Sequence, residues 1–201
     1  MLVRLFIFSV MLLLNACALS PISLNLSPAQ PANIPVVVNG TWFTLRVIDQ
    51  RPHEHLGNRG GAYANASEIN LARSISDFID PPARQGFIAM GLMPQANLGN
   101  AQAQGIDDNQ RSVAIELLWT EMSYKSKGGL YPSYMTMAAE FSLVARSTQG
   151  EYTNSYRMAR DRRFAVVPEA ADSEVVLNEF LRDVLALMYQ DAGLQQWLAR
   201  Q

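Results

Sequence analysis

Three stretches in the second half of the chain alternate between apolar and more polar positions. They cover residues 113–120, 134–143 and 151–158. A period of two is typical of strands that have one covered face and one open face. The links between them, at 125–132 and 147–150, are short, so we expect the three strands to pair as an antiparallel meander.

An earlier part of the chain also predicts strands. The run 36–38 ("VVV") is followed by Asn39-Gly40 and then by "TWFTLRVID" at 41–49. Asn-Gly between two apolar runs is a strong signal for a hairpin turn, so this part predicts strand, turn and strand. The segment around Ile69 and Leu71 predicts a further short strand.

Two segments show the spacing of an amphipathic helix. The first spans 75–90, where Asp80-Pro81 is typical of a helix start, so we expect this helix to kink or restart there. Gly91 is expected to end it. The second helix is expected to begin at Asp172 or Ser173, with its apolar stripe on one side. That stripe consists of Leu177, Phe180, Leu181, Val184, Leu185 and Met188.

These elements predict a two-layer α+β domain. Its sheet is expected to be antiparallel and to consist of the three-strand meander plus an N-terminal strand, with two helices packed on one face. The predicted domain covers residues 35–201 as a single unit.

The N-terminus has the pattern of a secretion signal over residues 1–16. Arg4 precedes an apolar run from Leu5 to Leu14, which is too short to span a bilayer as a helix. The alternatives are an uncleaved anchor or a buried helix. Residues 17–34 contain three prolines and many small polar residues, a composition that predicts a flexible tether.

The segment Leu14-Asn15-Ala16-Cys17 resembles the lipobox of bacterial lipoproteins. The resemblance implies that Cys17 carries diacylglycerol, becomes the new N-terminus and is acylated again. Ala18 stands where aspartate would act as an inner-membrane sorting signal, so the resemblance implies the outer membrane. The alternative is a free, buried cysteine.

Composition narrows the classes of function. The chain has 201 residues and a formal net charge of −2, a balance that does not favour binding to nucleic acid. Its single cysteine excludes a disulfide framework within one chain. We expect no cofactor other than the covalent lipid on Cys17.

The histidines His53 and His55 are a weak candidate metal site. Two histidines two positions apart on an extended segment can share a metal ion, with Asp49 or Glu54 as a third ligand. We favour a solvated loop, because no second group of ligands is present. Asp49 and Arg51 could form a functional pair, but we favour a structural role, in which they cap the first helix or pair locally. We predict no catalytic residues.

The predicted hairpin tip "YKSKGGLYPSY" (124–134) combines aromatic and cationic side chains. Such a surface suits contact with a partner protein or with lipid headgroups. The alternative, which we favour because scattered exposed aromatic residues are common, is that its aromatic residues fold back onto the end of the sheet. The candidate partner-binding residues are Tyr124, Leu130, Tyr131 and Tyr134.

The order of these elements resembles the YajG-like family of bacterial lipoproteins. The matching features are the lipobox, "LNLSP" at 24–28, "DQR" at 49–51, "NSYR" at 154–157 and the C-terminal amphipathic helix. The resemblance implies a lipid-anchored protein at the outer membrane with its domain in the periplasm, and it implies no reaction.

The sequence thus predicts a non-enzymatic envelope protein that is held at the membrane by its lipid and acts through contact with another envelope protein. One alternative is an auxiliary subunit that binds lipid or glycolipid in an envelope transport system. A second alternative, which the pattern favours least, is a metal-dependent hydrolase that uses His53 and His55.

Overall fold

The computed structural model describes residues 21–60, 67–95, 111–127, 132–165 and 168–201. The strands in these residues are β1 (Ile22–Leu24), β2 (Trp42–Asp49), β3 (Gly57–Gly60), β4 (Ser67–Leu71), β5 (Met93–Pro94), β6 (Ser112–Lys127), β7 (Ser133–Ser147) and β8 (Gly150–Phe164). The helices are α1 (Ile75–Ala89), α2 (Ala170–Tyr189) and α3 (Ala192–Leu198).

The long strand β6 organises the sheet. Strands β7 and β8 follow on one side of it as antiparallel neighbours. On its other side, β2 pairs with the first half of β6, and β3 pairs with its second half. Beyond these lie β5, next to β2, and β4 with β1, next to β3. The result is a curled half-barrel.

The predicted antiparallel sheet is wrong for the fold as a whole, because the sheet is mixed. Within the described residues, four of the seven strand pairings are parallel: β1–β4, β2–β5, β2–β6 and β3–β6. Strand β2 reaches β6 through a long connection that includes α1, and such a crossover permits parallel pairing. The sheet is also packed with three described helices instead of the two that were expected.

The segment 21–34, which the sequence places in a flexible tether, instead contributes to the folded domain. Its strand β1 pairs with β4. Leu24 and Leu26 are each 1% exposed. The backbone N–H of Asn25 donates to the carboxylate of Glu174 on α2 at 2.7 Å. The domain therefore begins well before the expected boundary at residue 35.

The valine run at 36–38 does not form the expected strand. The backbone N–H groups of Val37 and Val38 both donate to the carbonyl of Met90, at 3.0 and 3.2 Å. Because the last carbonyls of a helix have no partner within the helix, this contact satisfies the end of α1. The side chain of Val36 stays 75% exposed.

Helix α1 is one continuous element, so it does not restart at Asp80-Pro81. It begins after Ser74, whose hydroxyl caps the helix in a reciprocal capping box with Asp77. Pro81 and Pro82 lie inside the helix, where each lacks an N–H for the carbonyl four residues earlier. The N-terminal box and the packed apolar face hold the helix together across that gap.

The core lies between the inner face of the sheet and the helices. On the inner face, the indole of Trp119 stacks on Phe141, with ring centroids 5.0 Å apart, and Phe141 contacts Tyr156 at 5.2 Å. From α1, the ring of Phe87 packs against Phe43 of β2 at 5.8 Å. Aromatic contacts therefore form two groups in the core, one that joins β6, β7 and β8 and one that joins α1 to β2.

Helices α1 and α2 meet at a glycine. A Cβ atom on Gly86 would lie 2.2 Å from the ring and the hydroxyl of Tyr189, so only glycine admits the ring here. The hydroxyl of Tyr189 donates to the carbonyl of Ala83 at 2.8 Å. Complete burial raises the pKa of this phenol and keeps it neutral.

Candidate functional site

A surface loop at residues 50–56 joins β2 to β3, and both strands run parallel to β6. Asp49 lies opposite Trp119, and Gly57 lies opposite Tyr124. Seven loop residues thus face only four residues of β6, so the loop must bulge outward. Its ends are fixed by hydrogen bonds from Gln50 N–H to the carbonyl of Trp119 (2.8 Å) and from Tyr124 N–H to the carbonyl of Leu56 (2.9 Å).

A cleft of about 280 Å³ lies at this bulge. Cationic or titratable side chains on its wall come from Arg51, His53, His55 and Lys125, with Glu121 as an acidic neighbour. Leu56 and Met122 add apolar side chains, and the rest of the lining comes from Pro52, Gly57, Asn58, Thr120 and Ser123. The cleft is therefore a notch of mixed apolar and polar lining with charges of both signs at its rim.

Arg51 anchors the loop at this cleft. Its guanidinium donates to both carboxylate oxygens of Asp49, at 2.9 and 2.8 Å, and its side chain is only 5% exposed. Burial raises the pKa of Asp49, but the hydrogen bonds and the charge of Arg51 outweigh burial and lower it. Of the two structural roles considered, the pair takes the local one, and it holds the loop against the strand end.

The two histidines of the weak metal candidate lie side by side. The rings of His53 and His55 stack with their centroids 5.3 Å apart. Within the described ranges, no third histidine, cysteine or acidic side chain joins them in a group that would hold a metal ion. The structure thus brings the two predicted residues together and places Asp49 in a pair with Arg51.

The residues of the predicted hairpin tip divide between core and surface. Tyr124 is 1% exposed, and its hydroxyl bonds to that of Ser173 on α2 at 2.8 Å. Tyr134 is 45% exposed and lies beneath the guanidinium of Arg163, which is 5.6 Å from the ring centre. The candidates Leu130 and Tyr131 lie outside the described residues, as does Cys17.

The outer face of the sheet, opposite the helices, carries a ladder of ion pairs that the sequence pattern did not predict. Arg46 of β2 pairs with Glu116 of β6 at 3.3 Å, and Glu116 pairs with Arg146 of β7 at 3.0 Å. Arg146 then pairs with Glu151 of β8 at 2.8 Å. The alternation of polar residues was visible in the sequence, but the register that joins these charges was not.

Further along the outer face, Arg157 of β8 lies 3.7 Å from both Glu121 of β6 and Glu140 of β7. These groups are all partly or largely exposed, and exposed ion pairs of this kind contribute at most about 1 kcal/mol each. The charges of the outer face are therefore available to exchange partners with another protein.

Asp191 forms a second polar cluster that joins α3 to β8. Its Oδ2 atom accepts hydrogen bonds from the hydroxyls of Tyr152 and Tyr156 (2.6 Å each) and from the amide of Asn154 (2.8 Å). Its Oδ1 atom accepts from the N–H of Gly193 and so caps α3. Burial raises the pKa of Asp191, but these donors outweigh burial and lower it to about 2.

Burial and the neighbouring carboxylate raise the pKa of Tyr156, so its hydroxyl remains a donor. Asn154 and Tyr156 belong to the "NSYR" stretch on which the family resemblance partly rests. Through their bonds to Asp191, these two residues hold the start of α3 against β8.

In the part of the chain that the structure describes, no helix is both long and apolar enough to cross a membrane.

Comparison with known proteins identifies the family. A family model described as "Uncharacterized lipoprotein" matches residues 28–199, which agrees with the YajG-like resemblance. No curated protein matches the sequence.

One of two similar solved structures supports the fold. A crystal structure of protein XCC0632 from Xanthomonas campestris, of the DUF330 family, superposes with a TM-score of 0.51 at 10% identity, covering 88% of this chain and 96% of that one. A crystal structure of another uncharacterized protein gives a TM-score of 0.47 at 8% identity, covering 86% of this chain and 97% of that one. The lipoprotein family model matches residues 28–199, which are most of the sequence. The chain therefore belongs to this family of uncharacterized lipoproteins.

Proposed function

We propose that this lipoprotein is anchored to the outer membrane through lipid on Cys17 and acts in the periplasm, without catalysis, by contact with another envelope protein. The observation that carries the contact role is the open outer face of the sheet. The described helices contribute their buried residues to the core on the opposite, inner face. The outer side chains of β8, such as Thr153 and Arg157, are exposed to solvent.

The size of this face suits a protein partner. Strands β6, β7 and β8 are 15 or 16 residues long. At about 3.3 Å per residue and about 4.8 Å per strand, they present a surface of roughly 50 by 14 Å, or about 700 Å². A stable protein interface buries about 800 Å² on each partner, so this face alone approaches the required area.

The position of β1 adds a geometric constraint to the proposed anchor. Ile22 is the first residue of β1 and lies five positions after Cys17. Five residues span at most about 18 Å, so a lipid on Cys17 would hold the domain close to the headgroups. Any partner would therefore be met near the membrane surface.

Photocrosslinking in cells tests the contact role. A photoreactive residue replaces Thr136, which is exposed on the outer face of β7, and the matched control replaces Val175, which is 59% exposed on α2. We expect a discrete adduct with a second envelope protein from position 136 and none from 175. Equal adducts from both positions, or none from 136 and from further outer-face positions, would contradict the proposal.

Two other functions remain predictions from the sequence. These are a lipid- or glycolipid-binding subunit and a metal-dependent hydrolase at His53 and His55. No contact or cavity described above favours either of them over the contact role.

A further inference from the structure

Strand β8 is a long edge of the sheet. Among the described strands it pairs with β7 alone, and that pairing continues over all 15 residues of β8. A two-residue turn joins Ser147 to its pair partner Gly150, so these two residues exchange both backbone hydrogen bonds. Even-numbered residues of β8 therefore bond to β7, and odd-numbered residues direct their N–H and C=O groups away from the sheet.

An edge of this length is a template for another strand unless charge or strain protects it. Two arginines of β8 are already neutralised on the inner face: Arg160 pairs with Asp183 of α2, and Arg162 with Glu179 of α2, each at 2.9 Å. Asp161, in contrast, is exposed and forms no ion pair within the described residues.

The charges on the outer side of this edge complement themselves best in one register. If two copies of β8 pair antiparallel about an axis at Ala159, Arg157 of each copy lies opposite Asp161 of the other. An axis at Arg157 would instead place that arginine opposite itself. An axis at Arg160 would oppose Arg157 to Arg163. Axes at Asn154 (Glu151 opposite Arg157) and at Arg162 (Asp161 opposite Arg163) also oppose unlike charges, but within β8 they pair only 9 and 5 residues of each copy. Opposite charges stabilise cross-strand pairs, whereas like charges directly opposite destabilise them.

The same register satisfies the backbone. Ala159 is odd-numbered, so its free N–H and C=O would bond to those of the second Ala159 in a closely spaced pair. Its methyl side chain leaves room for close approach at the axis. Residues 154–164 of each copy would pair, which gives 11 positions per strand.

We propose that two copies of this chain associate through their β8 edges, antiparallel about Ala159, to form one continuous sheet. In this contact Arg157 would exchange its 3.7 Å pairs with Glu121 and Glu140 for Asp161 of the second copy. The outer side chains of β6 and β7 stay available for the envelope partner, so crosslinking from Thr136 and disulfide trapping at Ala159 test the two interactions separately.

Disulfide trapping of the full-length protein in cells tests the register. Directly opposed residues in a hydrogen-bonded pair have Cα atoms about 5.5 Å apart, which is within reach of a disulfide. We expect Ala159→Cys to give a covalent dimer on oxidation. Thr153→Cys, on the same strand, is the matched control, because its two copies would be about 40 Å apart.

Charge exchange tests the pairing of Arg157 with Asp161. In the Ala159→Cys background, Asp161→Arg and Arg157→Asp are each expected to reduce the dimer yield at least fivefold. The combination of both changes restores opposite charges and is expected to return the yield to within twofold. Absence of dimer from Ala159→Cys, an equal yield from Thr153→Cys, or failure of the combined variant to recover would overturn the proposal.

Discussion

Replacement of Asp191 by asparagine is expected to destabilise the domain by about 1–2 kcal/mol at neutral pH. The carboxylate serves two sites at once, since Oδ2 accepts from Tyr152, Tyr156 and Asn154 while Oδ1 accepts from the N–H of Gly193. An asparagine side chain has one oxygen. When its oxygen caps α3, its NH₂ group faces the NH₂ group of Asn154, and when its oxygen faces the three donors, its NH₂ group faces the N–H of Gly193.

The pKa of Asp191 gives an independent value for the contribution of its carboxylate to folding stability. A pKa lowered from 3.8 to about 2 corresponds to about 2.5 kcal/mol of preference for the charged form in the folded state. The carboxylate is partly exposed, so solvent screening reduces this to roughly 1–1.5 kcal/mol. Because the folded-state pKa is the lower one, the contribution is complete above about pH 5 and is lost as the pH falls from about 4 towards 2.

Urea unfolding of the purified protein at pH 7 and at pH 2.5 measures both quantities. We expect Asp191→Asn to be less stable than wild type at pH 7 and the difference to shrink at pH 2.5. Asp172→Asn, an exposed acidic residue in the first turn of α2, is the control and is expected to change stability by less than about 0.5 kcal/mol. A difference for Asp191→Asn that is the same at both pH values would refute the reasoning.

Three further substitutions test the packing. Gly86→Ala is expected to lower stability by about 1–3 kcal/mol in thermal unfolding, because its Cβ would overlap Tyr189; stabilisation, as helix propensity alone would give, would contradict this packing. Gly57→Ala is expected to lower the free energy of unfolding in urea by at least about 2 kcal/mol, because its Cβ would lie 1.7 Å from the carbonyl oxygen of Tyr124. An unchanged urea midpoint would be inconsistent with the β3–β6 pairing. Tyr124→Phe is expected to lower the free energy of unfolding by about 1 kcal/mol in the same assay, because it loses the hydrogen bond to Ser173 of α2. Tyr134→Phe, at the surface, is expected to change it by almost nothing, and equal effects of the two substitutions would contradict the burial of Tyr124.

The three long strands were predictable because their information is local. Alternation over 113–120, 134–143 and 151–158 appears in β6, β7 and β8, and the links between them are short. The pairing of β2 with β6 is not local. It depends on which edge of β6 remains free after α1 returns the chain to the sheet, and no pattern within β2 specifies that edge.

The burial of Tyr124 illustrates a second limit of prediction from the sequence pattern. The register of β6 against β7 shifts between Trp119 and Glu121, so Thr120 interrupts the alternation of the strand. Odd-numbered residues face the core before this bulge and even-numbered residues face it afterwards, so Tyr124 points inward. In the sequence, the same residue is the first residue of the predicted hairpin tip, and no local pattern marks the bulge that turns it inward.

Short elements are difficult to predict from the sequence for a related reason. Strand β1 has three residues, lies between Pro21 and Pro28, and is stabilised by contacts with β4 and α2. The prolines predicted a tether, but they flank the strand and leave its own N–H groups intact. The ion-pair ladder on the outer face was hidden in the same way, since each charge is ordinary until register places it beside its partner.

Metabolic labelling with a palmitate analogue, followed by membrane fractionation, tests the central claim most directly. We expect the wild-type protein to carry the label and to separate with the outer membrane, and we expect Cys17→Ser to carry none. A wild-type protein without label in the cytosolic fraction, or a Cys17→Ser protein labelled as strongly as wild type, would contradict the claim that lipid on this residue holds the domain at the membrane.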